Sequence, residues 1–399
     1  MTRPLDDIRV IELGPLAAGP AAGSLLGELG ADVVKVEPPD GEVPRTFPPF
    51  TADGQSSQFL AFNRSKRGIA LDLKSADGRA AYLRLAAQAD VVIDNYRVGV
   101  TDKLGIGSEA VRGANPAVVY CAVTGFGLDG PRAGEAATDM IVQAYTGVMS
   151  LTGEPDRPPL RTATSNADFA TALYAVVGIL TALRARDRTG EGCVVETSLA
   201  DSYLAFLLPQ WAAWDVTETQ PPRWGSEMAM MTPYKNFLAR DGELTIGCLT
   251  ERMFRDACDA LDAPELATDP RYATNDKRLE NRAAINAEFD RRVAGFAVAD
   301  LVDRLSERGV LCAPIHTLGQ LAADPHFRAR GGFGVMRHPT AGDLRTPRTA
   351  IRFDGACADE YRPGPGLGEH TRAVLAEAGF GDDEIDALIA AGAAIAGDG

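Results

Sequence analysis

Short apolar runs alternate with helix-like segments along the first third of the chain. Residues 8–13 (IRVIEL) and 31–37 (ADVVKVE) have the β-branched composition of strands, and the small residues at 17–29 between them predict a helix. The alternation of helix and strand then continues at residues 78–88, 90–94, 108–114 and 117–124. Strands that are joined by helices in this order predict a doubly wound α/β domain with a mainly parallel sheet.

The later segments predict a second, smaller domain. Residues 169–185 are apolar but short for a membrane span and end among arginines, which predicts a buried core helix. A second apolar helix is predicted over about 200–214. A polar stretch rich in proline follows it, and then a pattern of hairpin and helices. The predicted ranges are a large domain at 1–216, a linker at 217–231, a small α+β domain at 232–323, a return linker at 324–365 and C-terminal helices at 366–399.

Charge and cysteine content narrow the function. The 399 residues include 40 basic and 55 acidic side chains, a formal charge of −15 that repels a nucleic-acid backbone, so we expect no nucleic-acid partner. The six cysteines form no CxxC pair, which argues against a zinc or thioredoxin-type site. Scattered cysteines and a start (MTRPLDD) without an apolar signal core lead us to expect a cytoplasmic protein that does not bind a membrane.

Two features could bind an anion. The turn at residues 14–20 joins a predicted strand to a helix, as in dinucleotide-binding units, but it lacks the GxGxxG fingerprint, so a simple tight turn is favoured. A set of basic residues also lies in the loops of this domain. These residues either hold a polyanion or form a solvated face with surface ion pairs, and both interpretations stay open. They are Arg64, Lys66, Arg67, Arg97 and Lys103.

Several strings, taken in order along nearly the whole chain, resemble the family III CoA-transferases, also called the CaiB/BaiF group. The strings are PLD at 4–6, VIEL at 10–13, AGP at 18–20, GADVVKVE at 30–37, Asn63 with KR at 66–67, LDLK at 71–74, NY at 95–96, GFG at 125–127, NADF at 166–169 and LGEHT at 367–371. The resemblance implies a Rossmann-like large domain built from both chain ends, so that residues 366–399 complete it. It also implies an interlocked homodimer, in which two chains thread through each other.

The same resemblance implies the activity and the ligand. The expected enzyme moves CoA from an acyl-CoA donor to a free carboxylic acid, with coenzyme A entering as a thioester substrate and without a metal. The positions that match the CoA-contacting segments of the family, or lie beside them, are Leu16, Ala17, Ala18, Leu71, Lys74, Asn95, Tyr96, Arg97, Lys103 and Thr138.

Asp168 is the candidate catalytic residue. Its position at the beginning of an apolar helix is by itself typical of a cap, although the helix dipole there also stabilises a carboxylate. The resemblance implies instead that Asp168 is a nucleophile, which forms first a mixed aspartyl–acyl anhydride and then an aspartyl-CoA thioester.

Two alternatives use the same fold. Racemases of this family exchange an α-proton with a His–Asp pair, but Thr138 precedes Asp139 here, and threonine does not transfer protons near neutral pH. A non-catalytic acyl-CoA-binding protein would keep the CoA contacts without needing Asp168. Pro38, Ala136 and a missing glycine-rich loop depart from the oxalate-using members, which argues against oxalate as the acceptor.

Overall fold

A seven-stranded sheet forms the centre of one of the two units into which the chain folds. The computed structural model describes residues 4–356 and 360–397. The first unit contains Met1–Val148, Thr162–Thr217 and Ala329–Gly399, and the second contains Met149–Arg161 and Glu218–Arg328. The outer ends of the predicted ranges 1–216 and 366–399, and residues 357–359 of the predicted return linker, lie outside the described residues.

The strands are given in chain order. They are β1 (Arg9–Leu13), β2 (Asp32–Glu37), β3 (Arg67–Leu71), β4 (Val91–Asp94), β5 (Val119–Thr124), β6 (Val194–Ser198), β7 (Tyr234–Leu238), β8 (Glu243–Gly247), β9 (Leu311–Pro314), β10 (Phe333–His338), β11 (Gly342–Pro347), β12 (Glu360–Tyr361) and β13 (Ala394–Ile395).

The helices are also given in chain order, beginning with those of the first half. They are α1 (Ala18–Glu28), α2 (Ser57–Asn63), α3 (Ala76–Ala86), α4 (Val100–Leu104), α5 (Ser108–Ala114), α6 (Asp139–Tyr145), α7 (Val148–Leu151), α8 (Asn166–Thr189), α9 (Leu199–Leu204) and α10 (Leu208–Thr217). Those of the second half are α11 (Glu251–Ala260), α12 (Pro264–Thr268), α13 (Asn275–Glu280), α14 (Arg282–Val293), α15 (Val298–Ser306), α16 (Leu318–Ala323), α17 (Pro325–Ala329), α18 (Thr371–Glu377) and α19 (Asp382–Ala390). Short 3₁₀ helices cover Val43–Thr46, Ala205–Leu207 and Pro270–Tyr272.

The large sheet is parallel except at one edge, which confirms the predicted α/β class. Its strand order is β13-β3-β2-β1-β4-β5-β6, and only β13 runs antiparallel to its neighbour. Val33, Val34 and Val36 of β2 are all buried, because helices cover both faces and a strand between them must be apolar on both sides.

The order of the strands creates a crevice beside β1. From β1 the chain proceeds to β2 and β3 on one side, and then crosses to β4 on the other. Ligands of doubly wound sheets bind where the direction of winding changes, at the carboxyl ends of the strands. Gly14 and Asn95 follow β1 and β4 directly, so this topology places them at such a point.

Three predicted segments differ in the structure. The predicted return linker at 324–365 is folded and contains the three-stranded sheet β11-β10-β12. Residues 149–161, predicted within the large domain, belong by their contacts to the second unit. The single helix predicted over 200–214 is divided into α9 and α10 by a 3₁₀ turn at Ala205–Leu207.

Helix α8 packs along one face of the sheet. It is long and apolar enough, by length and composition, to cross a membrane, and half of its most apolar 18-residue window is buried inside the protein. Ala172, Ala175 and Ile179 on its inner face pack with α1 and β5, as in the predicted core helix. Its outer face carries exposed apolar side chains, among them Leu173 and Val177.

The second unit is organised around one buried cation. Arg278 is only 1% exposed and donates to the carbonyl oxygens of Thr232 (2.9 Å) and Tyr272 (3.0 Å). Its guanidinium also pairs with Glu251 at 2.6 Å and lies 4.2 Å from the centre of the Phe254 ring. These contacts connect α11 and α13 to the segment before the antiparallel sheet β7-β8-β9.

Candidate active site

The turn after β1 lies directly against the segment after β4. A side chain at Gly14 would come within 2.8 Å of the main chain of Asn95, so only glycine fits there, and its φ of +112° also favours glycine. Asn95 Oδ1 accepts the N–H of Gly19 at 3.1 Å, and Asn95 Nδ2 donates to the carbonyl oxygen of Val123 at 2.8 Å. The Asn95 amide therefore holds the beginning of α1 against β5.

The predicted CoA-contacting residues differ in accessibility. Leu16 is exposed and adopts a left-handed φ of +75°, whereas Ala17 and Ala18 are buried beneath it. Leu71 is completely buried in the core next to Ala394, so it supports its segment and presents no surface to a ligand. This burial corrects the prediction that Leu71 contacts CoA.

The remaining predicted contacts lie at the surface beyond the carboxyl ends of the strands. Lys74 and Lys103 are exposed, and Arg97 donates to the carbonyl oxygen of Gly134 at 2.9 Å while its side chain remains exposed. Tyr96 is partly buried, and burial raises the pKa of its phenol to about 12. Thr138 is exposed and directly precedes α6.

Three of the five basic residues that the sequence offered for an anion are used inside the protein. Lys66 is completely buried and pairs with Glu12 at 2.6 Å. Arg67 pairs with Asp32 at 2.6 Å and with Glu377 at 2.8 Å. Arg64 pairs with Glu28 at 2.5 Å. These three residues therefore form neither a solvated face nor a ligand site, and of the five only Arg97 and Lys103 are exposed.

Asp168 is the third residue of α8, within its first turn, and is not its cap. The helix begins at Asn166, and the side chain of Ser165 makes no capping hydrogen bond. The N–H of Ala167 is instead accepted by Asp139 Oδ2 at 2.9 Å. Asp139 Oδ1 accepts a hydrogen bond from the buried Gln143, whose own Oε1 accepts the N–H of Thr162 at 2.9 Å. The Asp139–Gln143 pair thus holds the main chain at residues 162 and 167, in the short segment that leads into α8.

The Asp168 carboxyl has an environment suited to chemistry. Burial, and secondarily the negative charge of Asp139, raise the pKa of Asp168 to about 7. Within residues 4–356 and 360–397 no hydrogen bond to this carboxyl compensates for its burial. A carboxyl group that is poorly solvated and unpaired is a stronger nucleophile or base once ionised, and such groups occur often at functional sites.

Sequence reasoning missed Asp139 and Gln143 as parts of this site. The sequence does place Asp139 at the start of a short apolar helix, directly after Thr138. Nothing in the local sequence indicates that its carboxylate accepts the N–H of Ala167, at the start of a different helix 28 positions along the chain. Among the described residues, 4–356 and 360–397, no group of three or more histidine, cysteine or acidic side chains is arranged to hold a metal ion.

Comparisons with known proteins agree on one family. The family model described as CoA-transferase family III matches residues 5–371. The succinyl-CoA:glutarate CoA-transferase of Mus musculus is 33% identical over 98% of this chain and 90% of its own length. The acetyl-CoA:oxalate CoA-transferase of Acetobacter aceti is 36% identical over 94% of this chain and 95% of its own. A crystal structure of a CaiB/BaiF family protein from Brucella suis matches with a TM-score of 0.87 at 38% identity, covering 95% of this chain and all of that one.

Proposed function

This chain belongs to CoA-transferase family III and is a CoA-transferase, and we propose that it moves CoA between two carboxylic acids through covalent intermediates on Asp168. The observation that carries the proposal is the Asp168 carboxyl, unpaired and partly buried in the first turn of a 24-residue helix. The positive end of the helix dipole favours its ionised form, and its burial leaves the carboxylate poorly solvated and reactive.

The proposed reaction has four balanced steps. A carboxylate oxygen of Asp168 attacks the thioester carbonyl of the donor and the carbon–sulfur bond breaks. CoA thiolate departs, and a mixed anhydride between Asp168 and the donor acyl group is formed. The thiolate then attacks the aspartyl carbonyl and releases the donor acid, which gives an aspartyl-CoA thioester. The acceptor carboxylate attacks that thioester, forming a second anhydride and releasing the thiolate. Attack of the thiolate on the acceptor carbonyl gives the new acyl-CoA and restores Asp168.

The proposed CoA site lies at the carboxyl edge of the large sheet. Leu16, Ala17 and Ala18 would contact the ligand at the beginning of α1, where main-chain N–H groups point outward. Cations around this edge match the phosphates of CoA. The further proposed contacts are Lys74, Asn95, Tyr96, Arg97, Lys103 and Thr138. Asn95 is included for its main chain, because its side-chain amide is already engaged.

We propose dicarboxylic acids as the substrate class. The relatives named above act on glutarate and on oxalate, with succinyl-CoA and acetyl-CoA as donors. Oxalate therefore belongs in a test panel, although Pro38 and Ala136 depart from the oxalate-using pattern that the resemblance describes.

Trapping the covalent intermediate tests the proposal. The protein incubated with succinyl-CoA and hydroxylamine, without an acceptor acid, is expected to form a hydroxamate at Asp168, detected by mass spectrometry of the peptide that contains it. In heavy water, recovered succinyl-CoA should gain no α-deuterium. A protein that binds succinyl-CoA but yields no Asp168 adduct and no exchange of CoA between acids would contradict the proposal in favour of a binding protein, and α-deuterium uptake would favour a racemase.

We also propose that the active form is the interlocked homodimer. In support, α8 and α10 expose large apolar side chains, including Val177 (61%) and Leu208 (70%), and patches of this kind mark association surfaces. Sedimentation at micromolar concentration should give twice the chain mass. Leu173→Glu on the α8 face should reduce the dimer fraction at least about tenfold, since burying a charge in an interface opposes association strongly. Leu318→Glu, at an exposed leucine of α16 in the second unit, is the control. A wild-type chain that sediments as a monomer would overturn this proposal.

A further inference from the structure

Four charged side chains lie inside the protein on the α1-facing side of the large sheet. This buried ion cluster consists of Glu12, Lys35, Glu42 and Lys66. Lys66 pairs with Glu12 at 2.6 Å, and Lys35 pairs with Glu12 at 3.0 Å and with Glu42 at 2.8 Å. Buried ion pairs of this kind are rarely more stable than apolar side chains of the same volume. The cluster therefore calls for an explanation other than stability.

One member of the cluster reaches the turn after β1. The ammonium of Lys35 has three protons, and besides its two carboxylate partners it donates to the carbonyl oxygen of Gly14 at 3.2 Å. The residue that follows Pro15 is Leu16, whose φ of +75° is rare for a residue with a side chain. A strained position of this type persists only when its surroundings fix it. Lys35 supplies that restraint from below the turn, and Asn95 supplies it from the side.

Helix α1 is shaped to fit over the cluster. A side chain at Gly23 would come within 1.9 Å of Glu12 Oε2, so the helix carries a glycine where it crosses this carboxylate. At Gly14 the turn lies too close to Asn95 for a side chain, and at Gly23 the helix lies too close to Glu12. The turn and α1 thus pack directly on Asn95 and on the buried ion cluster, and both contacts require glycine.

We infer that Lys35 is a positioning residue, which holds the Gly14–Leu16 turn in its strained conformation so that the turn can contact the acyl-CoA. The identity of the ligand rests on the proposed function, whereas the restraint on the turn does not. Lys35 touches no substrate and acts only through the Gly14 carbonyl.

Two charge-balanced pairs of substitutions separate this role from a general effect on the core. Lys35→Met with Glu42→Gln removes one positive and one negative charge together with the hydrogen bond to Gly14. Glu12→Gln with Lys66→Met removes the same number of buried charges but keeps the Lys35–Glu42 pair and the hydrogen bond to Gly14. Both pairs leave the described cluster neutral.

Amide hydrogen exchange and steady-state kinetics give independent readouts. The first pair should speed exchange in residues 14–19 about tenfold and raise KM for succinyl-CoA about tenfold, with kcat changed less than about threefold. The second pair should change each of these less than about twofold. Equal effects of the two pairs, or unchanged exchange in the first, would overturn the inference. Faster exchange without any change in KM would support the restraint of the turn by Lys35 but contradict the proposed contact between the turn and CoA.

A third variant decides the outcome if the first pair does not fold. Leu16→Gly removes the side chain that makes the left-handed conformation unfavourable. Added to Lys35→Met and Glu42→Gln, it should restore a folded chain, as judged by circular dichroism. A triple variant that stays unfolded would show that Lys35 supports the whole sheet and not the turn, which would overturn the inference.

Discussion

Replacing Asp168 with asparagine is expected to abolish CoA transfer and at the same time to stabilise the folded protein at pH 8. Asparagine has nearly the same shape but no nucleophilic carboxylate, so the rate should fall at least about 10³-fold. The gain in stability has a separate origin. The folded-state pKa of Asp168 is raised to about 7 from an ordinary value of 3.8, so ionising this carboxyl opposes folding.

The sign and the pH window of the stability change follow from that shift. Below about pH 4 the carboxyl is protonated in both the folded and the unfolded chain, and its titration has no effect on stability. The penalty grows as pH rises from about 4 to 7 and is complete above pH 7. Because the side chain is partly accessible to water, we expect a gain of roughly 2 kcal/mol in the free energy of unfolding for Asp168→Asn at pH 8.

Denaturant unfolding at pH 5 and pH 8, at one protein concentration, measures this difference. Asp300→Asn is a matched control, because Asp300 occupies the same third position of α15 but is exposed. It should retain transfer activity and show no gain at pH 8. An Asp168→Asn protein with near-normal turnover would contradict the nucleophile, and one that is equally destabilised at both pH values would contradict the unfavourable ionisation.

The local pattern predicts the elements whose apolar residues are consecutive or regularly spaced. Strand β2 is recognisable because a strand buried on both faces needs valine after valine. Strand β13 is not, since Ala394 and Ile395 form a strand only by pairing with Leu71 and Ala70, more than 300 residues away in the chain. Such pairing depends on tertiary contacts that no local sequence signal contains.

The partners of charged residues at the site also depend on tertiary contacts that the local sequence does not show. Lys66 has the appearance of a loop cation, yet β3 begins directly after it and places its side chain beneath α1, against Glu12. Asp168 is identifiable as a candidate from its position near a helix start and from the family resemblance. Its raised pKa is not, because that depends on burial and on Asp139, which the fold brings close from another helix.

Replacing Asp139 with asparagine is expected to shift the pH dependence of transfer toward lower pH. Only ionised Asp168 can attack a thioester, so kcat/KM should rise with pH and reach half its plateau near the pKa of about 7. Removing the negative charge of Asp139 should lower that midpoint by about one unit. The midpoint should stay well above the ordinary value of 3.8, because burial is the larger cause of the shift and persists in the variant.

Asp139→Ala separates the charge from the hydrogen bond. Asparagine can still accept the N–H of Ala167, although its amide cannot also accept from Gln143, and the lost hydrogen bond should reduce stability by about 1 kcal/mol. Alanine removes the charge and both hydrogen bonds, so it should give the same shift of the pH midpoint with a larger loss of stability and of kcat. A pH midpoint that is unchanged in Asp139→Asn would show that burial alone sets the ionisation of Asp168. Unequal midpoints in the two variants would show that the position of the α8 N-terminus, and not the charge of Asp139, controls it.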